Sequence, residues 1–479
     1  MHKGGLYVTV KTVRIVLKKH WLFIVLFAMA AAVRFYKLPY MASHDFDQEF
    51  ATNFVYDVRE YPVRLVGQGL SVIGLFMGPW YFYFLVPFYA LFQWQPIGGY
   101  VGSVLLGLAN IAAYYFVGRK LFSQRVGLLA VALRGINYYS LSGDWLMVPT
   151  VGSDGMIIVL WYCLYKLWRG KKRYLLPIAG ILGLFTSMHP AHFPLWFVAA
   201  LLLIIWRKKL RYSLKITVAS LLAFVAPSAP LVLFEYYRQW AMSKQLLAMF
   251  FGGEAHESQF WSRLPVMANI IVDFFEGILD IPPQPQWLGF VALGVIACFT
   301  HLLLRKKLVP NHVFHLTAFG TLVVTMILYY AAFPTQVPEY YLGAIRALFF
   351  LYIPVLLVQL PNVFGRLGLL IALSILSHSF AYNFRLVTTR WQNAESMATL
   401  IHKERAVKYI IDQAAGKEFG LSFITPLGWN FGFTSLFRVA GYEPVGRGLI
   451  YTIVVPKSGV HQEEIDFVSG DIAVLLPAE

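Results

Sequence analysis

The feature that most constrains this chain is a succession of apolar runs of helical length, separated by charged or Pro/Gly-rich breaks. A helix needs about 20 mainly apolar residues to cross the hydrocarbon core of a bilayer. Eleven segments approach that description: 20–38, 98–118, 126–142, 155–168, 174–190, 193–206, 214–234, 286–304, 313–332, 343–360 and 365–383. Only 13% of the 479 residues are charged and 58% are hydrophobic, against about 25% charged in a soluble domain, which excludes an ordinary cytosolic enzyme. The same figures exclude a disordered chain. A disulfide scaffold is excluded by there being only two cysteines, Cys163 and Cys298, each in an apolar run and each expected to be a small buried hydrophobe. The first segment is not expected to be a cleaved signal, because no small-residue cleavage site follows it and it ends in Arg34-Phe35-Tyr36-Lys37.

Charge gives the orientation. The net charge of +16 would suggest nucleic acid in a soluble protein, but here the basic residues gather between alternate spans. The clusters are Lys11/Arg14/Lys18/Lys19, Arg119/Lys120/Arg125, Arg169/Lys171/Lys172/Arg173, Arg207/Lys208/Lys209/Arg211 and Arg305/Lys306/Lys307. Lys and Arg mark cytoplasmic loops, so the N-terminus is expected in the cytoplasm and no nucleic-acid partner is expected. Every Asp and Glu before residue 384 falls in a segment assigned to the opposite, outer face. The aromatic segment Gly78 to Phe92 is apolar enough to cross, yet a crossing there would invert every later cluster. It is therefore read as a helix lying in the outer interface, where Trp and Tyr are at home; the alternative is a true crossing helix.

This predicts an α-helical polytopic membrane protein with about eleven spans, residues 1–383, carrying outer loops at about 39–97 and 235–285. From 384 to 479 charged residues return, with a helix expected over Ala394 to Lys417 and strands at Leu421–Ile424, Leu449–Val455 and Ile472–Leu476. That tail reads as a small extracytoplasmic α/β domain.

Three carboxylates, Asp45, Asp47 and Glu49, stand within five residues directly after the first span. Acids crowded near a low-dielectric boundary raise one another's pKa, and one of them can serve as a general base; they are equally a solvated loop start. Arg346 lies in the outer half of the tenth span, after Glu339-Tyr340-Tyr341. An intramembrane arginine is a functional candidate by default, the alternative being snorkelling or pairing with Glu339. Arg134, inside the third span, is a second such residue. His189 and His192, three apart at the outer turn between the fifth and sixth spans, could share a metal by spacing alone, but Pro190 between them argues against one helical face.

The sequence resembles the GT-C superfamily of membrane glycosyltransferases that use polyprenyl-phosphate sugars, including protein mannosyltransferases and the aminoarabinose transferases that modify lipid A. The resemblance rests on Arg34-Phe35-Tyr36-Lys37-Leu38-Pro39, Asp45-Phe46-Asp47-Gln48-Glu49, Gly78-Pro79-Trp80-Tyr81-Phe82-Tyr83, Gly118 to Ser123, Gly180 to His189, Pro230 to Glu235 and the outer tail. It implies a GT-C fold and an outer-loop acid as base. The usual Asp-Glu pair is replaced here by Asp47-Gln48, as in some bacterial relatives, which points to Asp47 and leaves Asp45 and Glu49 as competitors. It further implies inverting transfer at the anomeric carbon, with the leaving phosphate met by cations such as Arg346 and Arg134. Arg238 and Lys244, in a loop that covers the site in relatives, are added as phosphate contacts. A substrate contact is implied for His189, with His192 beside it and Glu339 nearby. A second acid near the site is implied for Asp144 or Asp154, between which the sequence does not choose.

The implied partners are a polyprenyl-phosphate sugar donor, a lipid, glycan or protein acceptor, and membrane lipids. No cofactor is expected, a divalent metal being left open by the acid cluster. No P-loop, dinucleotide-binding glycine fingerprint or zinc-finger pattern is present, which favours a lipid-linked donor. The competing classes are an O-antigen ligase or polymerase type enzyme, expected to use arginines and a histidine, and a transporter, expected to show inverted repeats and broken helices.

Overall fold

The computed structural model describes residues 10–70, 74–206, 213–251, 256–279, 294, 300–301, 311–332 and 338–477. Nearly all of the segment read at 286–304, Cys298, the basic clusters at 207–211 and 305–307, and Gly252-Gly253-Glu254 lie outside them.

Helices dominate. The first apolar run becomes α1 (Val10–Phe35), and the loop that follows, after one helical turn at Leu38–Met41, carries α2 (Phe46–Glu60) and α3 (Trp80–Leu91). The aromatic α3 has 12 residues, or about 18 Å at 1.5 Å per residue, short of a hydrocarbon core of about 30 Å. The next runs give α4 (Ile97–Leu121), α5 (Gln124–Ile136), α6 (Tyr138–Asp144), α7 (Ser153–Trp168), α8 (Leu175–Leu184), α9 (Pro194–Ile205) and α10 (Leu214–Tyr237). The third segment, read as continuous over 126–142, is broken at Asn137, whose side chain instead caps α6 by accepting from the Ser140 N–H. The loop read at 235–285 holds α11 (Ala241–Phe251) and α12 (His256–Leu279). Then come α13 (His312–Ala331) and α14 (Gly343–Gln392), which contains both of the last two apolar segments and is interrupted by a non-helical Gly365.

By length and composition, four helices among the described residues can cross a membrane: α4, α10, α13 and α14 taken with the turn before it. Several other apolar runs form helices of 10 to 16 residues that end sooner than their hydropathy suggests.

α4 is the hub. Its buried side chains face α3, α5 and α7, and at Gly118 a Cβ would lie 3.1 Å from the Cα of Gly127 in α5, so the absence of side chains lets the two backbones touch. α10, by contrast, turns Leu221, Leu222, Val232 and Leu233 outward. Among the described residues its apolar surface has no protein partner there, as expected of a helix facing lipid.

The boundary read at 384 falls inside α14, which runs on to Gln392. Beyond it α15 (Leu400–Ala414) packs on a four-stranded sheet of β1 (Phe419–Ile424), β2 (Leu449–Val454), β3 (Phe467–Ser469) and β4 (Ile472–Leu475), in the order β1-β2-β4-β3. β1 and β2 are parallel, as their connection through α16 (Phe433–Val439) allows; the other two pairings are antiparallel. Tyr409 of α15 stacks on Phe467 with ring centroids 4.4 Å apart. β3 and α16 were not read from the sequence. The tail rests on the start of the first outer loop, where the Leu400 N–H donates to the Ala42 carbonyl at 2.8 Å.

Candidate functional site

The acid cluster separates into three environments. Asp45 is the N-cap of α2, with its N–H bonded to the Gln48 side chain at 3.0 Å, and its carboxylate pairs with Lys403 at 2.9 Å. Glu49 turns toward the tail and accepts from the Gly432 N–H; burial raises its pKa, partly offset by that hydrogen bond and by Lys403. Asp47 turns instead into a cavity of about 430 Å³. One of its oxygens accepts from Gln68 Nε2 at 2.5 Å, and the other makes no hydrogen bond among the described residues. Gln68 is held in place by its backbone, which accepts from the Met77 N–H at 2.9 Å in a tight ladder that includes the Gly69–Phe76 bridge.

Arg134, Asp144, Asp154, His189, His192, Glu339 and Arg346 line the same cavity. Residues separated by up to about three hundred positions are thereby brought around one space. Arg238 and Lys244 are not: both are exposed, Arg238 lying over the Phe234 ring at 5.7 Å. The segment that bears them is pinned by Glu235, which caps α11 through the Met242 and Ser243 N–H groups at 2.9 and 2.8 Å.

A chain of alternating charges crosses the cavity wall. Arg34, fully buried near the end of α1, meets Asp144 at 2.8 Å and donates to the Gly135 carbonyl at 2.7 Å. Arg134 donates to both Asp144 oxygens at 3.1 and 3.0 Å, and its Nε stands 3.3 Å from Asp154. Arg346 reaches Asp154 at 3.8 Å and lies over the Tyr139 ring at 4.7 Å. Asp144 is thus neutralised twice over, whereas Arg346 is loosely paired, 18% exposed, and has a buried Nε with no hydrogen-bond partner. Along this chain three arginines meet two aspartates, and Arg346 is its loosely paired end. Arg346 is not paired with Glu339, which lies exposed at the rim. Arg34 takes a part that the sequence reading gave only to the end of the first span.

His192 bonds Ser153 Oγ at 2.7 Å through Nε2, and His189 accepts from the Ala191 N–H at 3.1 Å. Each therefore has a local hydrogen bond. Among the described residues no three His, Cys, Asp or Glu side chains are grouped to hold a metal ion. The His189 ring meets Tyr340 and Tyr341 edge-on at 5.4 and 5.1 Å, so an aromatic wall faces the charged one. The cavity offers a carboxylate with a free oxygen and, on the α14 side, a cation short of partners. These are the parts needed to remove a proton at one end of a bound substrate while negative charge develops at the other.

No family model matches the chain, and no curated protein matches it by sequence. Its fold does match solved structures. ArnT from Cupriavidus metallidurans in the apo state superposes with a TM-score of 0.56 at 12% identity, covering 95% of this chain and 97% of that one. The same protein bound to undecaprenyl phosphate gives 0.53 at 11% identity, over 95% and 98% of the two chains. The oligosaccharyltransferase of Archaeoglobus fulgidus in complex with zinc and sulfate gives 0.49 at 13% identity, over 88% of this chain and 62% of that one. The GT-C fold expected from the sequence motifs is the fold that this chain shares with ArnT.

Proposed function

We propose that this GT-C-fold chain is an inverting glycosyltransferase that moves a sugar from a polyprenyl-phosphate donor to a hydroxyl or amine of a lipid, glycan or protein acceptor. The observation that carries the reading is one cavity shared by the Asp47 carboxylate and the under-paired Arg346 guanidinium. That ArnT binds undecaprenyl phosphate within a similar fold supports the lipid character of the donor.

In this reading Asp47 takes the acceptor's proton as the acceptor oxygen or nitrogen bonds to the anomeric carbon from the side opposite the phosphate. The anomeric C–O bond to the phosphate breaks, its electron pair stays on the phosphate, and Arg346, backed by Arg134, meets the charge that forms. Gln68 holds Asp47 by one oxygen and leaves the other to the acceptor. The two arginines supply the positive charge, and no metal is part of the scheme. The cavity, the first outer loop and the tail lie on the extracytoplasmic face in this reading, which the segregation of acids and bases along the chain supports. About eleven spans hold them in the plasma or inner membrane, with the region 384–479 outside it.

The deciding experiment offers purified protein a panel of radiolabelled polyprenyl-phosphate sugars, with and without chelator, beside Arg346→Ala. Losing a hydrogen bond to a charged group costs about 1.5–3 kcal/mol, so the variant is expected to weaken donor affinity by roughly 10- to 150-fold. An unchanged donor requirement would return Arg346 to a structural role, and absence of turnover or binding with every donor would shift the weight to the ligase or transporter classes.

A further inference from the structure

The tail is wired into the turn that starts α2. Lys403 of α15 is 1% exposed, and its ammonium donates to the His44 carbonyl at 2.7 Å, the Phe431 carbonyl at 2.8 Å and the Asp45 carboxylate at 2.9 Å. Those are all three of its protons, and two of the acceptors belong to the residues immediately before Phe46 and Asp47. Beyond Asp47 the Glu49 side chain accepts from Gly432 N–H. Gly432 has φ +92, and a Cβ there would collide with the His44 carbonyl, so only glycine lets the tail come this close. The His44 ring lies between Tyr100 OH at 3.0 Å and Ser435 Oγ at 3.1 Å. Burial, with Lys403 beside it, pushes that imidazole down to about 3, so the link is one between neutral groups.

The backbone is therefore gripped on both sides of Asp47 by residues of the tail, while Lys403, Gly432 and Ser435 do not line the cavity. A buried ammonium is a poor way to gain stability, since well-packed apolar side chains do as well or better. What three directional bonds provide is a fixed position.

We infer that the tail is the positioning frame of the proton acceptor: Lys403 sets the turn His44-Asp45 and, through it, where the Asp47 carboxylate points. This rests on the reading of Asp47 as the base. It makes Lys403 a positioning residue and the tail an integral part of the site.

The test uses the full chain in detergent with the sugar donor turned over by the wild type, and compares Lys403→Met with Asp47→Asn. Lys403→Met is expected to lower kcat at least tenfold while the Kd for undecaprenyl phosphate stays within twofold, because Arg346 and Arg134 are untouched. Amide hydrogen exchange should speed up over residues 44–49 and stay unchanged over 343–350. Should Lys403→Met not fold, Ser435→Ala removes the His44 link together with the hydroxyl's bond to the Gly432 carbonyl, and carries the same test with a smaller fall in kcat. Wild-type kcat in a folded Lys403 or Ser435 variant, with Asp47→Asn dead, overturns the positioning role and leaves the base in place. A fully active Asp47→Asn overturns the base and the frame together, as does a wild type that transfers none of the sugars.

Discussion

Replacing Asp47 by Asn is expected to cut turnover by two to four powers of ten and to leave donor binding almost unchanged. General base catalysis by a placed side chain contributes about 10²–10⁴-fold, and the amide has the carboxylate's shape without its basicity. The Gln68 contact survives because the Asn carbonyl accepts from Gln68 Nε2 as the carboxylate does, so the loop should keep its course. Undecaprenyl phosphate affinity should hold, since the cations that would meet its phosphate lie on α5 and α14. The result separates Asp47 from its neighbours. Asp45→Asn and Glu49→Gln take the charge out of contacts with the tail rather than the group in the cavity, and their losses should be smaller. Steady-state rates with saturating donor, read beside lipid binding, make the comparison. Undiminished turnover in Asp47→Asn would sink the assignment.

The second large effect is on stability. Asp144→Asn keeps the volume of the side chain and deletes the charge standing between Arg34 and Arg134, whose side chains are 0% and 3% exposed. Breaking a buried ion pair by removing one partner costs about 3–5 kcal/mol, because the remaining charge is left uncompensated. Here two guanidiniums are left, although Arg134 keeps Asp154 at 3.3 Å. Arg34→Met should be the milder lesion, since Asp144 then retains its two-pronged contact with Arg134. Thermal aggregation of detergent-purified protein should rank wild type above Arg34→Met and Arg34→Met above Asp144→Asn. Equal stability of Asp144→Asn and wild type would mean that the arginines find water or other acceptors.

Much of this architecture is legible because apolar runs and charge segregation are properties of the chain itself. After the first, which begins at Val10 against an expected 20, the described helices that match expected segments start within a few residues of the limits, as at 97 against 98 and at 214. The three strands read from the tail are there. Hydropathy does not show where a helix stops for tertiary reasons. Asn137 ends α5 by offering its side chain to α6 and to the Gly277 carbonyl of α12, 140 positions away. The convergence on Asp144 is hidden for the same reason, as Arg34 and Asp144 are 110 residues apart. One missed signal was present. In α15 the buried positions Leu400, Lys403, Val407, Ile410 and Ala414 recur at helical spacing, and a lysine within such an apolar stripe marks a buried cation in search of acceptors. Nothing in the sequence says that the acceptors are His44, Asp45 and Phe431.

Gly365 interrupts α14, and from Arg366 to Gln392 the chain continues as one helix of about 40 Å at 1.5 Å per residue. That is some 10 Å longer than a typical hydrocarbon core, so a bilayer crossed by this helix would leave turns clear of the lipid, a post leading to α15 and Lys403. A post anchored in the bilayer answers to bilayer thickness, sinking or tilting as the apolar slab around it grows or thins. In the reading proposed above, Lys403 would pass that movement on to Asp47, and the composition of the membrane would enter the geometry of the site.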